Sequence, residues 1–80
     1  GFAPTKRPID HFSNSLEVIF YEFSADDIDR IIAHFSEQST EFGYRMHDVG
    51  DFKSGDLLLE VLLNHFTFTE IRNNLRKLFA

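Results

Sequence analysis

Eighty residues make one domain, able to fold alone yet burying only about 60% of the surface its unfolded chain exposes. A net charge of −5 with a pI near 5.2 repels phosphate backbones and anionic headgroups, which argues against nucleic acid and membrane surfaces as partners. The lack of cysteine excludes a disulfide scaffold, a thiolate metal site and a cysteine nucleophile; it suits either redox setting, with a soluble cytoplasmic protein as the favoured expectation.

Residues 1–15 carry both prolines, Pro4 and Pro8, around Lys6 and Arg7, and end in Ser13, Asn14 and Ser15, a composition that reads as an extended arm or linker. Phe2, Ile9 and Phe12 are its large hydrophobes. The chain begins at Gly1 without an initiator methionine and reads as a piece of a larger protein. Residues 16–80 are then the folded domain.

Residues 16–23, rich in β-branched and aromatic side chains, read as a strand that is apolar on both faces. Ser24 follows as a helix cap, with Asp27 closing a capping box and Phe23 and Ile28 in the positions of a hydrophobic staple. Ile28, Ile31, Ile32 and Phe35 keep the spacing of one buried helical stripe, and the helix is expected to fade around Glu37 to Thr40. Asp26, Asp27 and Asp29 suggest a cation site, but acids at a helix start are explained by capping and the helix dipole.

Residues 42–49 place Phe42, Tyr44 and Met46 on one side and Gly43, Arg45, His47 and Val49 on the other, the alternation of an outer strand. Residues 50–55, GDFKSG, read as a turn; the lysine and serine precede the second glycine, which is the wrong order for a phosphate loop. The next stretch, residues 57–64, holds the longest apolar run, interrupted by Glu60 and far short of the roughly 20 residues of a spanning helix, so no membrane insertion is expected. Its leucines favour a helix on propensity, but a repeat points to a strand.

That repeat relates Leu16 to Ile28 (LEVIFYEFSADDI) with Leu59 to Ile71 (LEVLLNHFTFTEI), five positions being identical at an offset of 43 residues. Thr67 and Glu70 restate the capping box, Phe66 and Ile71 the staple. The last helix then buries Phe68, Ile71, Leu75 and Leu78, with Arg72, Arg76 and Lys77 outside.

The expected architecture is α+β: a βαββα open-faced sandwich with an internal βα repeat, ferredoxin-like without the last strand, its two helices on one face of a three-stranded sheet. Residues 42–49 would pair with 57–64 so that Arg45 faces Glu60 and Met46 faces Leu59. The first strand keeps an unpaired edge, and the open sheet face carries Ile19, Tyr21, Leu58 and Leu62 with Glu17 and Glu60 among them. An apolar edge and face of that kind point to an interface.

His11, His34, His47 and His65 are not gathered by any spacing, and no nucleophile with a base beside it is legible, so neither an enzyme nor a cofactor is expected. RNA binding on the open face is disfavoured by charge and by leucines where aromatic rings are needed. The expected function is a non-enzymatic protein–protein interaction or oligomerisation domain, its partner another protein or a second copy of itself. A small-molecule-binding regulatory domain, with its ligand between paired sheets or at the GDFKSG turn, is the alternative.

Overall fold

In a computed structural model of the chain, which describes residues 16–50 and 54–79, every regular element is an α-helix. In chain order these are α1 (Leu16–Glu22), α2 (Ala25–Gln38), α3 (Thr40–Val49), α4 (Gly55–Leu63) and α5 (Phe68–Leu78). The expected α+β sandwich is therefore overturned: among the described residues there is no strand, no ferredoxin-like sheet and no pairing of Arg45 with Glu60. The extended arm expected over residues 1–15 lies outside the described residues.

The three segments read as strands are α1, α3 and α4, and their burial shows why. Leu16, Ile19, Phe20 and Phe23 are all buried, which is the i, i+3, i+4, i+7 spacing of a helix face and not the alternation of a strand. In α3 the inward residues are Phe42 and Met46, with Val49 partly buried against the same core, again one helical stripe. In α4 the buried set is Leu58, Leu59, Val61 and Leu62. A run of eight residues spans barely two helical turns, so β-branched content and a chance alternation of Phe42, Tyr44 and Met46 outweighed the true period.

Capping chemistry was correctly legible. Ser24 Oγ accepts from the Asp27 amide at 3.2 Å while the Asp27 carboxylate accepts from the Ser24 amide at 3.2 Å. Thr67 and Glu70 reproduce the box at 3.1 and 2.8 Å. Each cap satisfies donors that a helix start otherwise leaves orphaned and contributes about 1 kcal/mol. Ser39 serves two helices: its amide donates to Phe35 O at 3.0 Å, ending α2, and its hydroxyl accepts from the Phe42 amide at 3.1 Å, starting α3. Ser54 caps α4, accepting from the Leu57 amide at 3.4 Å. Gly50 ends α3 at φ +79°, a left-handed conformation that favours glycine.

The repeat is genuine but relates two helix–cap–helix units. Three residues, Asn64, His65 and Phe66, separate α4 from its cap at Thr67, and Phe23 alone separates α1 from Ser24, so a helix can run almost directly into the next cap. Leu16 and Leu59, Ile19 and Leu62, and Ile28 and Ile71 are equivalent pairs, and all six are buried. The copies meet helix to helix. Helix α1 packs on α4, while α2 runs antiparallel to α5, with Arg30 reaching Leu78 at one end and His34 and Gln38 reaching Asn74 further along.

Phenylalanine rings fill the centre. Phe35 lies 4.9 Å from Phe66 and 6.3 Å from Phe42, closing α2, α3 and the α4–α5 turn around one cluster. A second cluster at the other end joins Phe20 to Phe23 edge-on at 5.5 Å and stacks Phe23 on Phe79 at 4.9 Å. Arg30 closes that end, its guanidinium 4.9 Å over the Phe79 ring and its Nη2 donating to Leu78 O at 3.1 Å. Among the described residues no polar or charged residue is buried, so the core is held by apolar burial and packing alone.

Candidate interaction surface

Where the last turn of α1 meets the first turn of α4, the backbones approach so closely that a side chain is excluded. A methyl group on Gly55 would overlap the Phe20 carbonyl oxygen and lie 2.9 Å from its carbon. The contact leaves a cavity of about 230 Å³ lined by Phe20, Tyr21, Phe23, Ile28, Ser54, Gly55 and Asp56. Its floor is core: Phe20, Phe23 and Ile28 are buried. Its rim is wet, with Asp56 and Ser54 exposed and Tyr21 81% exposed. Tyr21 points outward because Ile19, Phe20 and Phe23 take up the inward face of α1, and Glu22 and Asp26 stand exposed beside it in sequence.

A second, shallower depression of about 410 Å³ runs between α2 and α3, lined by Ser36, Thr40, Gly43, Tyr44 and His47. Gly43 and Ser36 are the small residues that bring these helices together, and Tyr44 stands 70% exposed above them. Sequence reasoning did not single out Tyr44, which it placed with Phe42 and Met46 on one side of an outer strand. Leu57, Leu63 and Phe68 are the remaining large apolar side chains exposed among the described residues, and Phe68 has the Arg72 guanidinium 5.6 Å over its ring.

The six residues expected to share a sheet face are not brought together in that way, since no sheet forms. Ile19, Leu58 and Leu62 are buried in the core, at 2, 0 and 0% exposure. Tyr21 and Glu60 are exposed, on α1 and α4 respectively, and the side chain of Glu17 lies outside the described residues. Of the GDFKSG turn, Asp51, Phe52 and Lys53 lie outside the described residues, while Ser54 and Gly55 are spent on starting α4.

The described histidines sit apart. His47 borders the α2–α3 depression, and His65 sits edge-on to Phe42 at 5.9 Å with its Nε2 buried and without a hydrogen-bond partner. His34 belongs to a polar bridge between α2 and α5: Asn74 Nδ2 donates to Glu70 O at 2.7 Å, which leaves Asn74 Oδ1 to accept from Gln38 Nε2 at 2.8 Å. His34 Nε2 lies 2.9 Å from both amide groups and accepts from Gln38 or donates to Asn74 according to its tautomer. The bridge ties two helices; it contains no hydroxyl or thiol for the imidazole to activate. Among the described residues no group of three or more histidines and acids is placed to hold a metal ion. Nor is any described helix long and apolar enough to cross a membrane.

No protein-family model, characterised protein or solved structure matches this chain.

Proposed function

We propose that the chain is a non-enzymatic protein–protein interaction domain whose partner, another protein or a second copy, engages the α1–α4 end through Tyr21. The observation that carries this reading is the placement of an 81% exposed tyrosine ring on the rim of a cavity floored by core side chains. Tyrosine offers large contact area with a polar tip at small conformational cost, and interfaces are enriched in it for that reason. The rest of the rim, Ser54 and Asp56, is polar, as the border of a non-obligate interface is. Leu57, on the turn of α4 that also carries Asp56, adds apolar surface nearby in sequence.

Replacing Tyr21 with serine removes the ring without touching the core, so the melting temperature is expected to stay within about 2–4 °C, in line with a surface change of up to 0.5 kcal/mol. Association is expected to fall at least tenfold, read as the loss of concentration-dependent sedimentation if the partner is a second copy, or as the loss of a protein retained by the wild-type chain from an extract. Wild-type chain that sediments as a monomer at high concentration and retains the same proteins as the Tyr21→Ser variant would remove the proposal.

A further inference from the structure

Charge is divided unevenly over the helices. Helices α1 to α4 hold ten acids against two cations, Arg30 and Arg45, whereas α5 holds three cations, Arg72, Arg76 and Lys77, against Glu70 alone. The helix dipole favours cations at the C-terminal end of any helix, yet among the five described helices only α5 has lysine or arginine in its last turn. The dipole therefore does not account for where the cations are gathered. Thr69, Asn73, Arg76 and Lys77 are all exposed at the i, i+4, i+7, i+8 spacing of one helical stripe, so α5 turns a polar, basic face to solvent.

The surface that complements this face is the rim of the α1–α4 cavity. Asp56 lines the cavity, Glu22 falls between Tyr21 and Phe23, which line it too, and both acids are exposed. The buried floor of Phe20, Phe23 and Ile28 suits the aliphatic stem of a lysine or arginine, while the Tyr21 ring offers its charge a π-face and Asp56 a carboxylate. The described lining residues come from α1, α2 and the start of α4, and none from α5 of the same chain.

We infer that the partner of the Tyr21 surface is a second copy of this chain, which lays the last turn of its α5 over the cavity, with Lys77 crossing the Tyr21 ring toward Asp56 and Arg76 set against Glu22. This choice of partner rests on the interaction reading above. The contact joins unlike faces, so every copy offers one acidic half and one basic half. Opposed potentials at close range guide the encounter and set its register, although the chain as a whole is acidic and repels itself at long range.

Sedimentation of the full chain over a concentration series tests the inference with two charge-reversed variants, Glu22→Lys with Asp56→Lys and Arg76→Glu with Lys77→Glu. Wild type is expected to self-associate, and each variant alone to associate at least tenfold more weakly, because like charges then face each other. An equimolar mixture of the two variants is expected to recover to within about threefold of wild type, since the reversed faces again meet opposite charge. Circular dichroism checks the helix content of each variant; where a reversed variant loses it, Arg76→Gln with Lys77→Gln takes its place and is expected to weaken association by about threefold or more. Wild type that stays monomeric at high concentration would overturn the inference. So would an Arg76→Glu/Lys77→Glu chain that associates as wild type does, or a mixture no stronger than its components. Those results leave the Tyr21 surface standing where Tyr21→Ser still loses association or a protein that wild type retains. A Tyr21→Ser chain that behaves as wild type removes that surface, and the inference with it.

Discussion

Changing Gly55 to alanine is expected to destabilise the protein by about 3 kcal/mol, the upper end of the usual cost of overpacking. In a domain of this size that corresponds to a fall in melting temperature of roughly 12–24 °C. At an ordinary helical position the same change is stabilising, because alanine loses less conformational freedom than glycine and has the better helix propensity. Here the added methyl group overlaps the Phe20 carbonyl oxygen; its position is fixed by the Gly55 backbone and its partner is backbone, so no side-chain rotation relieves the clash. Helices α1 and α4 must move apart, opening the interface between the two copies of the repeat. Gly43 supplies the control of opposite sign. Its added methyl group would lie 3.4 Å from the Ser36 Cβ, an ordinary contact, so Gly43→Ala is expected to stabilise α3 by about 0.5–1 kcal/mol. Thermal melts of the two variants check the pair, and a Gly55→Ala protein as stable as wild type would refute the close approach of α1 and α4.

Phe35→Ala is the second change with a large expected effect. Phe35 is fully buried and touches Phe42 of α3, Phe66 of the α4–α5 turn and the His34 ring. Truncating a phenylalanine in such a place costs about 3–5 kcal/mol, the sum of lost transfer energy and an unfilled cavity. A chain of 80 residues has a total stability of roughly 4–12 kcal/mol. The variant is therefore expected to be largely unfolded near its growth temperature if the wild type lies at the low end of that range, and to melt far below wild type otherwise. Denaturant titration followed by circular dichroism gives the value directly. Tyr44→Ala, at a ring that is 70% exposed on α3, is expected to change stability by no more than about 0.5 kcal/mol.

What could be read from the sequence was the chemistry that acts over three or four residues. Ser24 with Asp27 and Thr67 with Glu70 announce helix starts through side chains that reach their own backbone, so nothing distant can change their meaning. The segments before those caps are harder. Leu16, Ile19, Phe20 and Phe23 fit a helix face, but isoleucine, valine and phenylalanine in a short run also fit a strand, and the choice is made by what packs against them. For α4 the leucine-rich composition pointed to a helix, and the repeat overruled it. The repeat held the right answer with the wrong label, since relating two segments does not say which structure they share.

The candidate surface was legible in part for the same reason. The strand reading put Tyr21 and Ile19 together on the open sheet face; on the helix Tyr21 is exposed and Ile19, two residues before it, is buried. Period two puts residues 19 and 21 together, while helical geometry sends them apart by about 200°. Leu58 and Leu62, four apart, share a face in either structure, and that face is the core. The contact of Gly55 with Phe20 joins residues 35 positions apart and left no local trace, beyond a glycine placed directly after the Ser54 cap.

All of these expectations depend on the repeated stretches being helices packed on each other. Backbone assignment of the full chain by NMR reads that point residue by residue. Positive Cα secondary shifts through residues 16–22 and 55–63, with sequential amide–amide contacts unbroken along both and cross-helix contacts between Phe20 and Gly55, are the expected result. Negative Cα shifts over either stretch, with cross-strand contacts between residues 42–49 and 57–64, would contradict it.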